Sequence, residues 1–255
     1  GDAICVFTGH KRGSVFCGTL SKNGKLAATG GEEDKAYVWD TSTGEIILDC
    51  TGHKDSIIFS AFNYAANVLL AGSVDGEIYM WKIPDGDCKV LQGYGCRAET
   101  GAIFPDGKRI AIGYEDGVVR ILDLKTNSVL SFISSTYGHS HTITTIDCHS
   151  DNNLILSAAV DGKTIISTSN TGKVLRQKIT QESGISKLVW KGNTTVLFSA
   201  GLDGILRCFD GKNGQCLRSF VAHTADILDL YISENGEKAL TTSDDFTARI
   251  FDISS

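Results

Sequence analysis

The stretch "GYEDGVVRILD" at residues 113–123 decides how the chain is read, because it returns in altered form along the whole sequence. "GSVDGEIYMWK" begins at Gly72, "AGLDGILRCFD" at Ala200 and "TSDDFTARIFD" at Thr242. Aligned on its acidic residue, the motif falls at Glu33, Asp75, Asp116, Asp161, Asp203 and Asp245, in steps of 42, 41, 45, 42 and 42 residues. A fixed period of this length marks a repeat architecture, in which each unit is one supersecondary element that buries its faces against its neighbours.

Within each unit the acid is followed by a short run such as "EIYMW", "VVRIL", "ILRCF" or "TARIF", rich in β-branched, aromatic and aliphatic residues. A turn and another short strand come next, so each unit reads as four strands. The runs are apolar on both faces, as expected of sheets covered on both sides. The pattern predicts an all-β chain of six four-stranded antiparallel blades, a β-propeller, in one domain over residues 1–255. "AICVFTGH" (3–10) matches the fourth strand and Gly-His step of "EIILDCTGH" (45–53) and "CLRSFVAH" (216–223). The last unit stops after its third strand, so the N-terminal strand is expected to pair with the C-terminal blade and close the ring.

The recurring acid has two possible uses, chemistry or turn geometry. His53, His139 and His223 each precede their acid (Asp75, Asp161, Asp245) by 22 residues, and His10 precedes Glu33 by 23. Two antiparallel strands and a tight turn bring such a pair back together. A carboxylate accepting from a buried imidazole satisfies both groups. Thr29, Ser157 and Thr241, four residues before their acids, and the indoles of Trp39 and Trp81 are placed to extend that network. Gly follows the acid in four units, which favours a turn. Asp116 and Asp203 take the same structural role without a His at that spacing.

This combination of Gly-His step, acidic turn and a "WD"-like strand end resembles the WD40-repeat family over essentially the whole chain. Trp39-Asp40 is the one literal "WD"; the third unit has Gly95-Cys96 in place of Gly-His, and the fifth has no His. The resemblance implies a non-catalytic β-propeller that binds other proteins. In that family the loop before each first strand and the turn before each third strand open on the same end. The resemblance thus assigns Glu32, Asp55, Glu99, Glu115, Glu182, Asp226 and Asp244 to a partner-binding end, with Tyr94, Tyr114 and Phe246 as stacking surfaces for Arg side chains. An acidic mouth would steer a basic segment toward it.

Longer stretches, "TGGEEDKAYVWD" (29–40), "LAGSVDGEIYMWKIPDGDCK" (70–89) and "PDGKRIAIGYEDGVVRILDLK" (105–125), resemble the subfamily of the angio-associated migratory cell protein, together with "GHKDSI" (52–57) and "HTADILD" (223–229). Fungal members of that subfamily act as a dedicated chaperone for a late-joining large-subunit ribosomal protein. The kinship implies a basic, newly made ribosomal protein as client, and for animal members a part in cell migration. The alternative is a generic WD40 scaffold in a signalling or ubiquitin-ligase complex. The subfamily pattern has more repeats than six, and two units read as fused from halves of different repeats, around 58–69 and 177–183.

Other chemistries find little support. "SVDGEIYMW" (73–81) places Gly one position too early for the S-x-D-x-G-x-x-W motif of sialidase-type propellers, so no catalytic residue is assigned. His139, His141, Cys148 and His149 are ligand types, but their spacing matches no common zinc framework, and no metal or cofactor is expected. "DGKT" (161–164) lacks the upstream glycine of a phosphate loop, where Ser157 stands. No serine lies in a G-x-S-x-G elbow. "NTT" (193–195) is a glycosylation acceptor only in a secreted chain.

With 24 basic and 30 acidic residues, a net charge of −6, direct nucleic-acid binding is not expected. Eight cysteines without a C-x-x-C pair read as buried reduced thiols, which favours the cytoplasm, with the nucleus also open. The first residues, "GDAICVF", carry no basic n-region, and no apolar run approaches a membrane span, so a monomeric cytoplasmic propeller is the expectation.

Overall fold

The computed structural model describes residues 5–91, 93–134, 138–151 and 153–254. The fold class is that expected: all-β, six propeller blades, with no helix among the described residues. Blade 1 consists of β1 (Val15–Leu20), β2 (Leu26–Gly31), β3 (Ala36–Asp40) and β4 (Ile46–Cys50). Blade 2 holds β5 (Ile57–Phe62), β6 (Val68–Ser73), β7 (Ile78–Lys82) and β8 (Cys88–Leu91). Blade 3 holds β9 (Ala98–Ile103), β10 (Arg109–Tyr114), β11 (Val119–Asp123) and β12 (Val129–Ile133).

Blade 4 is built from β13 (Ile143–Cys148), β14 (Leu154–Ala159), β15 (Lys163–Thr168) and β16 (Val174–Thr180), and blade 5 from β17 (Ile185–Trp190), β18 (Val196–Gly201), β19 (Ile205–Asp210) and β20 (Cys216–Val221). Blade 6 comprises β21 (Ile227–Ile232), β22 (Lys238–Ser243) and β23 (Ala248–Asp252). Every sheet runs in chain order as an antiparallel meander. By contacts the chain divides into two compact units, one of residues 1–112 with 123–128 and one of residues 113–122 with 129–255.

In the first unit the core joins blade 1 to blade 2: Ala28 and Val38 pack with Ile57, Leu69, Tyr79 and Trp81. Gly30 is needed there, since a Cβ would lie 2.7 Å from Cγ2 of Ile57. In the second unit Leu156, Ala158 and Ile166 of blade 4 pack with Ile185, Leu188 and Trp190 of blade 5. Phe198, Ala200 and Cys208 of blade 5 in turn pack with Ile227, Leu230 and Ala239 of blade 6. Small residues of β2, β14 and β18 admit Ile57, Ile185 and Ile227 of the next blade's first strand, and each fully buried Ile or Leu contributes about 1.5–3 kcal/mol.

The first strands share a bulge at their second residue, between Val15 and Cys17, Ile57 and Phe59, Ile143 and Thr145, Ile185 and Lys187, and Ile227 and Asp229. The bulged hydroxyls of Thr144 and Ser186 donate to the carbonyls of Ile185 (2.6 Å) and Ile227 in the following blade.

The closing strand expected at the N-terminus lies partly outside the described residues. Blade 6 has three strands among the described residues, and Cys5–His10 form no strand; Ala3 and Ile4, the start of the expected closing strand, lie outside them. Phe7 instead stacks on the indole of Trp39 in blade 1, 4.9 Å between centroids and 3° between planes. The cross-strand row Tyr231, Leu240 and Ile250 of blade 6 is 63%, 39% and 70% exposed, whereas Phe198 and Cys208 of the matching row in blade 5 are buried.

Candidate partner-binding loops

The recurring acid serves the turn. Oδ1 of Asp75, Asp116, Asp161, Asp203 and Asp245 accepts from the backbone N–H two residues on, at 2.9, 2.9, 3.0, 3.1 and 2.9 Å. These are Asx turns, in which the side chain replaces a backbone acceptor. Glu33, one methylene longer, instead accepts through Oε1 from the amides of Lys11 and Arg12.

The histidine network differs from blade to blade. In blade 6 it is complete: His223 Nδ1 lies 2.9 Å from Asp245 and its Nε2 2.7 Å from Thr241 Oγ1. The Thr247 hydroxyl, His223 and the Thr224 and Thr247 amides hold the Asp245 carboxyl well below the usual range. In blade 1 His10 bridges Thr29 (2.9 Å) and Glu33 (3.3 Å). In blade 4 His139 meets Ser157 Oγ at 2.9 Å and faces Asp161 at 3.8 Å. Burial by itself would raise the Asp161 carboxyl, but His139, the Lys163 amide and Ser140 outweigh it and the pKa is lowered.

Ser157, His139 and Asp161 reproduce the order of a hydrolytic triad, yet Ser157 and His139 are wholly buried and Ser157 Oγ has no approach for a substrate.

Blade 2 departs from the expected pairing of His53 with Asp75. His53 is buried against Tyr79 and Trp81, 4.3 and 5.0 Å between centroids, and neither ring nitrogen makes a well-formed hydrogen bond. The residue four before Asp75 is Ala71, without a hydroxyl, and Asp75 is exposed. Burial drives the His53 pKa down to about 4; the Ala71 backbone and the Asp75, Asp34 and Glu77 carboxylates offset it only partly. Tyr79 donates instead to Glu77 (2.7 Å) and the Gly52 carbonyl (2.9 Å).

Blade 5 holds a residue the sequence reading missed. Gln181 stands where the others have His, donating to Ser199 and accepting from Arg207 Nη1 at 2.9 Å, while Arg207 grips Asp203 with both terminal nitrogens at 3.0 and 2.6 Å. The signal was present: Gln181 precedes Asp203 by the same 22 residues and Ser199 by four. In blade 3, Tyr94 has that spacing before Asp116 and is half-buried. Asp116 there meets Arg120 at 3.4 Å.

In five blades a repeated backbone bond joins the acidic turn to the loop before its own first strand. The N–H of Glu32, Val74, Val160, Leu202 and Asp244 donates to the carbonyl of Ser14, Ser56, Thr142, Gly184 and Asp226 at 2.9–3.3 Å. This brings Asp226 and Asp244 onto one pair of linked loops. Asp55, Glu115, Glu182 and Asp244 are exposed, as is Glu32, whose Oε2 accepts from the Ser14 amide at 3.1 Å. Asp226 is half-buried, and Glu99 pairs with Arg97 at 3.2 Å.

Tyr114 does not belong to this surface: it is 0% exposed, its ring covered by the guanidinium of its own Arg120 at 4.5 Å. It ends β10 with its side chain turned inward, as Ser73 and Ser243 do at the same position. Phe246, by contrast, is 100% exposed.

His149 pairs with Asp151 at 3.0 Å and meets the Trp190 ring edge-on, rather than joining His139 and His141. Among the described residues no group of three His, Cys, Asp or Glu side chains is placed to hold a metal ion. All eight cysteines are free thiols, and burial pushes that of Cys50 up to about 12.

The model of the WD domain, G-beta repeat, matches residues 1–40, 44–82, 130–166 and 214–252. The chain belongs to the WD40-repeat family. This WD40 chain is 32% identical to human angio-associated migratory cell protein over 347 aligned positions, covering 98% of the chain and 80% of that protein. The aligned span exceeds the 255 residues of this chain by about two repeat periods. It is 25% identical to chicken serine-threonine kinase receptor-associated protein, covering 98% of the chain and 70% of that protein. Mouse striatin is 23% identical over 87% of the chain, which spans only 31% of striatin. Among solved structures, the crystal structure of the computationally designed Ika8 protein matches with a TM-score of 0.82 and 23% identity, over 98% of this chain and 74% of that one. WD40 membership makes the chain a protein-interaction scaffold. No helix of the described residues is long and apolar enough to cross a membrane.

Proposed function

We propose that this WD40 chain is a non-catalytic, cytoplasmic chaperone that captures the basic segment of a newly made large-subunit ribosomal protein on its acidic loops and holds it until assembly. The observation that carries the reading is the exposure of Glu115, Glu182 and Asp244 in the second unit, where the Asp244 amide donates to the Asp226 carbonyl and the Gln181 amide to that of Gly162. Carboxylates fixed in this way attract a cationic segment without reorganising on binding. The similarity to angio-associated migratory cell protein supports a binding platform and a part in cell migration. Glu32, Asp226, Glu99 and Tyr94 are assigned supporting places.

The second reading, a generic scaffold of a signalling or ubiquitin-ligase complex, is favoured by the similarity to serine-threonine kinase receptor-associated protein. Salt distinguishes the two. Charge-driven capture of a basic client peptide weakens steeply from about 50 to 200 mM salt, whereas contacts built on apolar anchors respond little. Reversing two charges, Glu115→Lys with Asp244→Lys, lowers client affinity; unchanged affinity at low salt refutes the chaperone reading.

A further inference from the structure

Phe246 stands where four other blades place glycine: Gly76, Gly117, Gly162 and Gly204. Those glycines have φ of +83°, +77°, +73° and +74°, and a Cβ on any of them would come within about 2.5 Å of a carbonyl of the following loop, that of Cys96, His139, Gln181 or His223. Phe246 adopts the same left-handed conformation, φ +63°, with its ring wholly in solvent. A non-glycine residue there costs conformational energy, and an exposed phenyl returns none of it to the fold. Blade 1, with Asp34 at φ +56°, shows that a side chain at this position needs only to be tolerated, not aromatic.

The surroundings define what such a ring would meet. Its turn is closed by the Phe246 amide donating to the Ser243 carbonyl (3.1 Å), and Asp245 is locked by His223. The Asp244 amide donates to the Asp226 carbonyl, so Asp226 and Asp244 stand on the turn that carries Phe246 and on the loop bonded to it. The chain already places cations over aromatic rings: Arg109 over Phe104 at 4.4 Å, Arg120 over Tyr114 at 4.5 Å, Arg218 over Phe220 at 5.0 Å. Among the described residues no such cation covers Phe246.

We propose that Phe246, together with Asp226 and Asp244, is the anchor for an arginine side chain of an extended basic partner segment, the guanidinium lying on the phenyl face and bonding to the two carboxylates. The proposal rests on the acidic-capture reading above and adds a preference: a planar guanidinium stacks and bridges carboxylates together, which an ammonium does not.

The test compares labelled (Gly-Arg)5 and (Gly-Lys)5 peptides by fluorescence anisotropy on the full chain at low salt. The wild type should bind the arginine peptide roughly three- to tenfold more tightly. Phe246→Gly, which restores the residue of the other turns and should raise the melting temperature, removes that preference and leaves the lysine peptide unaffected. Phe246→Leu, apolar but without a π face, behaves like the glycine variant. An arginine preference retained in either variant overturns the anchor while the acidic capture stands. Failure of the wild type to bind either peptide in a salt-sensitive way overturns the capture reading and the anchor with it.

Discussion

His53 is a buried neutral imidazole without a well-formed hydrogen bond, and it makes the chain sensitive to mild acid. Its pKa is about 4 in the folded chain against 6.5 when solvated. A folded value below the unfolded one means that the unfolded chain takes up the extra proton, so stability is lost as pH falls through the window from 6.5 to 4 and levels off below it. At about 1.4 kcal/mol per pKa unit, the loss is about 2 kcal/mol between pH 7 and 5 and about 3 kcal/mol by pH 4. His53→Phe keeps the ring contacts with Tyr79 and Trp81 and removes the titration. Any packing offset it introduces is independent of pH. Urea denaturation followed by tryptophan fluorescence, with Trp81 5.0 Å from the imidazole, should show the wild type losing this much more than the variant. Ala71→Ser supplies the hydroxyl that Thr29, Ser157, Ser199 and Thr241 provide elsewhere, and should stabilise the chain at pH 7 by about 1 kcal/mol. Parallel pH profiles for the wild type and His53→Phe would refute the reasoning, since they would mean that the imidazole is solvated or paired.

Other outcomes follow from the same geometry. Asp245→Ala, which removes a carboxylate partner of His223 Nδ1 and the acceptor of the Thr224 amide, should lower the melting temperature more than Asp75→Ala, which removes only an Asx turn; equal drops would restore a His53–Asp75 pair. Gln181→Ala should cost about 1–3 kcal/mol by stranding Ser199 and loosening Arg207, and Gln181→His should recover part of it in thermal melts. Ile250→Lys should change stability by less than about 0.5 kcal/mol, because the side chain is exposed; a loss of several times that would show the outer face of blade 6 to be covered in solution.

The blades were legible from residue spacing because a strand's partner is set locally: the acid, the turn glycine and the strand that follows lie within a dozen residues of one another. The role of the acid was also legible, since an Asx turn needs only its own next two residues. Gln181 was hidden by an expectation of imidazole at a site where any buried donor-acceptor group suffices. His53 was misread because Ala71 lacks the hydroxyl and Asp75 stays in solvent, and neither fact follows from the spacing of His and Asp.

For the surface, charge and loop position assigned the acids to the linked loops, whereas the direction of each aromatic side chain was settled by packing. Tyr114 and Phe246 both flank an acidic turn, but Tyr114 ends a strand with its ring turned inward beneath Arg120, and Phe246 occupies a left-handed turn that points its ring outward. The same distinction holds for the N-terminal segment. Its sequence suits a fourth strand, and the stacking of Phe7 on Trp39 was not legible in it. The amino-acid order by itself determined the repeat, the blade count, the turns and the charge of the loops, all set by short-range chemistry. Tertiary structure alone decided which histidines are paired and which aromatics face solvent, since these depend on neighbours distant in the chain.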